Sequence, residues 1–202
     1  MPYVYCFLLG YLMGSISPSY AISLFKKKDL REQNTGNLGA TNTMLTFGWG
    51  WGIFVMIFDI CKAFAAVKLC AWLFSEYLFM GLVGGIASAI GHIFPFYLKF
   101  RGGKGLATFG GMVLAYSPLT FLFLFVLGWV LILTLNYSVA MPFSASILFP
   151  FFVFYLEQAW QPALFAAVFG LLIIIKHWPN LKKIRNGSAE KARVFIKKHV
   201  IR

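Results

Sequence analysis

The sequence is short of charge, and shorter still of negative charge. Of its 202 residues only 12% are charged, and Lys+Arg outnumber Asp+Glu by 18 to 6. A soluble domain carries about 25% charged and about 45–50% apolar residues. Here 60% of the chain is hydrophobic, with a mean hydropathy of +0.77. That balance excludes a water-soluble globular protein and describes an integral membrane protein. The net charge of +12 then reads as membrane orientation, and no nucleic-acid partner is expected. Cysteine is scarce too. Cys6, Cys61 and Cys70 all lie in apolar runs, which excludes a disulfide framework or a zinc site and leaves reduced packing residues. Asp29, Glu32 and Glu190 are too scattered to read as metal ligands, so neither a metal nor another cofactor is expected. No basic region precedes the first apolar run, so that run reads as a retained span and not as a cleavable signal. Repeats of about 20–50 residues are missing, and no soluble domain fits in the loops.

What is present is apolar sequence in long runs. A span needs about 20 apolar residues, within about 17–25. The runs place spans near 2–25, 47–74 and 77–96. The remaining stretch is interrupted at Ser117-Pro118, at Asn136-Tyr137-Ser138 and at 157–162, which divides it into 106–116, 118–135, 139–156 and 160–175. Sixteen of the eighteen cations fall in three places: 26–31, 99–104 and the tail from Lys176. The positive-inside rule puts all three on the cytoplasmic face. Parity then sets the count, because an even number of crossings must separate each pair of neighbouring basic segments. The expected architecture is a single all-α domain over 1–202 with about seven transmembrane helices, the N-terminus outside and the C-terminus cytoplasmic. Five spans with a re-entrant short segment at 106–116 have the same sidedness and stay open. The tail, 188–202, reads as a basic amphipathic helix on the inner membrane surface.

The polar segments stand out against this background. Residues 91–105, Gly-His-Ile-Phe-Pro-Phe-Tyr-Leu-Lys-Phe-Arg-Gly-Gly-Lys-Gly, join glycines, a histidine and three cations. Gly102, Gly103 and Gly105 allow close approach to an anion, Arg101 and Lys104 add charge, and a helix starting after Gly105 would add its N-terminus. It is no Walker A loop, since Leu98 stands where that loop needs its first glycine and Gly105 follows the lysine. In the first cytoplasmic loop, Asn34-Thr35-Gly36-Asn37 and Gly39-Ala40-Thr41-Asn42 supply small donors on flexible backbone. Such a segment suits a re-entrant loop lining a cavity, the alternative being an ordinary polar turn. Asp59 and Lys62 lie three apart in the second span and can pair, either as a self-neutralised buried pair or as support for the loops. His177 and Asn180 open the third segment, where Pro179 is expected to break the helix between them. His177 alone reads more readily as a lipid-headgroup contact than as a catalyst, and the order reverses if this turn faces the glycine loop. Together the three segments describe an anion site at the cytoplasmic membrane boundary, suited to joining a phosphorylated water-soluble molecule to an apolar one.

These residues resemble the bacterial acyl-phosphate:glycerol-3-phosphate acyltransferase family. Gly14-Ser15-Ile16-Ser17-Pro18, Asp29-Leu30-Arg31 and 35–42 resemble its first signature. Gly91-His92-Ile93-Phe94-Pro95 with 100–108 resembles its second nearly residue for residue, and His177, Asn180 and Gly187 resemble its third. Asp59 and Lys62 match a family pair. The resemblance implies seven spans in the bacterial plasma membrane and an active site at the cytoplasmic face. It implies acyl transfer from acyl phosphate to the 1-hydroxyl of glycerol 3-phosphate, giving lysophosphatidic acid and phosphate. On this likeness Lys104, His177, Asn180 and Thr35 carry catalysis. Gly36, Asn37, Gly39, Thr41, Asn42, Arg31, His92, Arg101, Gly102, Gly103 and Gly105 hold substrate, with Asp59 and Lys62 in support. The His-x4-Asp chemistry of the other acyltransferase class is missing, because Tyr97 and Lys182 stand five residues after His92 and His177.

The chain departs from the family pattern in places. Asn34-Thr35-Gly36-Asn37 replaces Gly-Ser-Gly-Asn, which adds a methyl group to a tight loop. Leu45 replaces an arginine three residues after Asn42, exchanging a bidentate phosphate donor for an apolar side chain. Ala189 stands where the family has an acidic residue, with Glu190 one later. Arg31, Lys99 and Arg101 are the cations that could substitute at Leu45. A relative that binds a phosphate-bearing lipid precursor without the standard transfer is therefore an alternative. A small-anion transporter is a more remote one, since it calls for inverted repeats that are not visible. Membrane lipid is the other expected partner, and oligomeric state is left open.

Overall fold

A computed structural model of the chain describes residues 1–199. It is all-helical and divides into two compact units, Met1–Pro118 and Leu119–Arg202. The first carries α1 (Pro2–Ser15), α2 (Pro18–Phe25), α3 (Ala40–Phe47), α4 (Trp49–Leu73), α5 (Met80–Ile93) and α6 (Leu106–Tyr116). The second carries α7 (Pro118–Leu135), α8 (Ala140–Glu157), α9 (Trp160–Arg185) and α10 (Ala192–His199).

In the first unit the expected span 2–25 is two helices. Pro18 disfavours helical backbone in the residue before it, so Ile16 and Ser17 turn extended. Ser17 Oγ then caps α2 by accepting from Tyr20 N–H at 3.3 Å. α1 packs tightly on α5. A Cβ at Gly14 would strike the Ser88 carbonyl, and one at Gly91 the Tyr11 carbonyl, so small residues set the approach, as between helices in lipid. α3 and α4 form a hairpin about Gly48, whose φ of +96° is one that a side chain would resist.

Helix lengths reveal how the unit is layered. α1 and α5 have 14 residues and α6 has 11, about 21 and 16 Å at 1.5 Å per residue. Each is shorter than a hydrocarbon core of about 30 Å. α4, with 25 residues, extends about 37 Å. The ends of α1 and α5 meet α4 at Lys62, near its middle, and α6 packs against the same level through Gly111 and Ile60. α1 and α5 thus stop at a level that α4 passes through, and beyond it lie α2, α3 and the polar loops.

Among the described residues five stretches are long and apolar enough to cross a membrane: Pro2–Phe25, Met80–Leu98, Pro118–Leu135, Ala140–Glu157 and Trp160–Arg185. α4, with Asp59, Lys62 and Lys68, and the short α6 are not among them. In the second unit Phe123 of α7 packs on Phe152 of α8 with ring centroids 5.3 Å apart, and Gly170 of α9 lies against the Ser146 backbone of α8. α9 overturns one expectation, for it continues through Pro179 to Arg185. A proline removes one backbone donor, here the partner of the Ile175 carbonyl, and the helix bears that loss. α10 hangs on the end of α7. Asn136 accepts from Ala192 N–H and, through Oδ1, from Arg193 N–H, both at 2.9 Å. The expected amphipathic tail, 188–202, is helical only over 192–199: residues 188–191 are not helical, and 200–202 lie outside the described residues.

Candidate active site

The glycine loop hangs from the end of α5. After Ile93 the chain makes a short turn over Phe96–Leu98 and passes through Lys99 and Phe100 in left-handed conformation, at φ +54° and +58°. It then returns, so that Gly102 N–H donates to Ile93 O and Gly103 N–H to His92 O, each at 3.1 Å. Those amides therefore serve the C-terminus of α5 and do not face an incoming anion. Glycine is required here for space: a Cβ at Gly102 would strike the His92 carbonyl, and one at Gly103 the His92 ring at Nε2. Gly105, at φ +89°, caps α6. The first intrahelical bond runs from Phe109 N–H to Gly105 O at 2.8 Å, which leaves the amides of Leu106, Ala107 and Thr108 without an intrahelical acceptor. The positive end of α6 is thus the anion-seeking part of the loop. Half-buried Lys104 stands immediately before it, and Arg101 is exposed.

Behind the loop sits a buried charge cluster. The Lys62 ammonium lies 2.7 Å from Asp59 Oδ1, donates to Ile16 O at 2.7 Å and meets His92 Nδ1 at 3.1 Å. Asp59 Oδ1 is also 3.3 Å from His92 Nδ1. All three side chains are at least nine-tenths buried. Asp59 Oδ1 takes the ammonium as an ion pair, outside good hydrogen-bond geometry. Ile16 O is open to Lys62 because Tyr20 N–H, its helical partner, has gone to the Ser17 cap. Tyr97 O–H closes the same break by donating to Ser15 O at 2.7 Å, and Tyr11 O–H donates to Phe94 O at 2.7 Å. Sequence reading paired Asp59 with Lys62 and missed the tyrosines and the Ile16 carbonyl. The Ser17-Pro18 cap signature was the available signal for the break.

The first loop is clasped by Asn42. Its Nδ2 donates to Leu30 O at 2.6 Å and to Asn37 O at 2.7 Å, and its Oδ1 accepts from Thr35 N–H at 3.2 Å. With side chain fully buried, Asn42 ties 30–42 into one turn. Leu30, Leu38 and Leu98 pack together beneath it, and Leu38 N–H reaches Gly102 O at 3.4 Å, so the first two polar loops lie at the same end of the unit. Gly36, at φ +69°, turns the chain, and Gly39 precedes α3 as its cap. Thr35 and Thr41 are exposed and Asn37 is half-buried. Arg31 makes a bidentate pair with Asp29, Nε donating to Oδ1 at 3.0 Å and Nη2 to Oδ2 at 2.7 Å. Those hydrogen bonds hold the Asp29 carboxyl below its usual value, so its share of stability is present at neutral pH and is lost only as pH falls through that lowered value.

In the second unit His177 is buried and donates from Nδ1 to Ile173 O at 2.9 Å, which leaves Nε2 as its acceptor. Because α9 is unbroken, Asn180 lies one turn on and on the same face.

Known proteins share this pattern. The family model described as glycerol-3-phosphate acyltransferase matches residues 4–187. The glycerol-3-phosphate acyltransferase of Enterococcus faecalis (strain ATCC 700802 / V583) is 36% identical over 211 residues, covering 93% of this chain and 91% of its own. That of Pelagibacter ubique (strain HTCC1062) is 30% identical over 197 residues, covering 96% of this chain and 100% of its own. A crystal structure of PlsY (YgiH), an integral membrane glycerol 3-phosphate acyltransferase, in its glycerol 3-phosphate form superposes with a TM-score of 0.83. It is 32% identical and covers 95% of this chain and 96% of that one. On signatures, fold and full-length similarity together, the chain belongs to the glycerol-3-phosphate acyltransferase family.

Proposed function

We propose that the protein transfers a fatty acyl group from acyl phosphate to the 1-hydroxyl of glycerol 3-phosphate, at the cytoplasmic side of a bacterial plasma membrane. The observation that carries this reading is the second signature loop. In it Lys104 directly precedes Gly105, the cap of the open amide end of α6, and the buried His92 ring backs Gly103. A phosphate needs a cation and convergent N–H groups, and on this reading Lys104 and the first amides of α6 supply them. Acyl phosphate is a mixed anhydride, so no acyl-enzyme is required. The substrate hydroxyl attacks the acyl carbonyl, the C–O bond to phosphate breaks, and the hydroxyl proton leaves with phosphate or to water. Orientation of two phosphates and stabilisation of the developing oxyanion supply the rate.

On this proposal Lys104 neutralises phosphate charge, helped by the α6 amides. Nε2 of His177 accepts a proton or hydrogen bond, and Asn180 donates to a substrate oxygen. Thr35, Gly36, Asn37, Gly39 and Thr41 offer the first loop to the polar substrate, while Asn42 holds that loop in shape. On this reading the chain makes seven crossings with the N-terminus outside, and the three cation-rich segments support that sidedness. If the loops lie inside the bilayer at the depth of Lys62, α5 and α6 need cross only its remaining half, so an 11-residue α6 suffices at about 16 Å.

The test uses purified protein with acyl phosphate and glycerol 3-phosphate, following lysophosphatidate and phosphate. Equimolar release of both supports the transfer, and acyl-CoA should not replace acyl phosphate. One observation favours a second reading, a relative that binds without transferring. Leu45 stands at the arginine position, and Arg31, a nearby replacement, is paired with Asp29 at 2.7 Å. Retained binding of glycerol 3-phosphate with no product at high enzyme would establish that reading instead.

A further inference from the structure

We infer that Lys62 is a positioning residue for the reaction: through His92 it sets the height of the Gly102–Gly103 segment, and so the place of Lys104. The inference rests on the phosphate-cradle reading of that loop. The Lys62 ammonium donates to Ile16 O at 2.7 Å, meets His92 Nδ1 at 3.1 Å and forms an ion pair with Asp59 Oδ1 at 2.7 Å. The ammonium lies nearer Nδ1, at 3.1 Å, than Asp59 Oδ1 does, at 3.3 Å, so Nδ1 is taken as the acceptor, which puts the ring hydrogen on Nε2. Nε2 is the atom against Gly103, where any Cβ would collide with it.

The ring cannot retreat, because Lys62 and Asp59 hold its other edge and all three side chains are buried. The loop cannot slide along it, because Gly102 and Gly103 hydrogen-bond the carbonyls of Ile93 and His92 at 3.1 Å. A stiff path therefore runs from the α4 ammonium through the imidazole to the loop. Lys62 also grips the Ile16 carbonyl, so the same ammonium keys the loop to the break between α1 and α2. An ordinary buried ion pair would have asked only that Lys62 face Asp59. The third contact, to a ring that backs the cradle, is what assigns the functional role.

Two measurements test this. The first is nitrogen NMR of the histidines in the full chain in detergent, with the His92 signal assigned by its loss in His92→Gln. The expected result is an unprotonated Nδ1 and a protonated Nε2 at neutral pH, and a protonated Nδ1 would overturn the inference. No turnover is needed for this readout, so it is separate from the fate of the acyl-transfer reading. The second is the double variant Asp59→Asn/Lys62→Met, which removes both charges and leaves neither uncompensated. Its thermal midpoint should stay near the parent's while KM for glycerol 3-phosphate rises at least about tenfold and kcat changes little. A folded double variant with unchanged KM would show the cluster to be structural alone and would overturn the inference. If the variant does not fold, the tautomer decides.

Discussion

At the scale of single residues the account turns on space and charge around His92. Gly103→Ala forces a Cβ into the His92 ring at Nε2. Overpacking of this kind costs about 1–3 kcal/mol, so the thermal midpoint should fall and turnover should drop steeply even though Lys104 is untouched. Wild-type turnover in Gly103→Ala would show that the loop does not bear on this ring. Leu45 is the converse case, a place where a group is missing. Leu45→Arg restores a planar phosphate donor, and charge-assisted bonds contribute about 1.5–3 kcal/mol. Its kcat/KM should rise about tenfold or more. No gain would mean that the site has been rebuilt around leucine. Part of this chemistry was legible in the sequence. The glycines, Lys104 and the Asp59–Lys62 spacing could all be read directly. That Gly102 and Gly103 turn their amides toward α5 could not, because the direction of an N–H depends on the left-handed turn at Lys99 and Phe100. Nor could the meeting of Lys62 with His92, 30 residues away, which only tertiary packing brings about.

At the scale of elements, the first loop depends on Asn42. Asn42→Ala leaves the Leu30 and Asn37 carbonyls and the Thr35 amide without their buried partner, each worth about 1–3 kcal/mol. Residues 30–42 should become the first protease-sensitive segment, with glycerol 3-phosphate binding lost at temperatures where the helices persist. Unchanged proteolysis there would deny Asn42 its role. The breaks after Tyr116 and Leu135 were plain from Ser117-Pro118 and Asn136-Tyr137-Ser138. The break at Ile16 was harder, because hydropathy runs on unbroken and only the Ser-Pro cap marks it. Pro179 misled in the opposite direction. A single proline costs one backbone bond, and the apolar face of α9, with Phe169 and Ile173 buried, holds the helix through it. His177 and Asn180 therefore share a face that a broken helix would not have given them.

At the scale of the whole chain, fold class and membrane character lie in composition, whereas the number of crossings depends on depth. Hydropathy alone finds five stretches, and the proposed seven crossings add α4 and the short α6 to them. Sidedness is testable by single cysteines in intact cells lacking Cys61. Cysteines replacing Lys27, Arg101 or Lys183 should react only from the cytoplasm, and those replacing Glu76 or Gln158 only from outside. Outside labelling at Arg101 would reverse the proposed orientation. The central claim, that the second loop holds phosphate for acyl transfer, comes down to Lys104. The most direct measurement is lysophosphatidate formation from acyl phosphate and glycerol 3-phosphate by purified Lys104→Ala beside the parent chain. The account predicts a folded variant with turnover lower by about a hundredfold or more. A folded Lys104→Ala protein that turns over like its parent would contradict it.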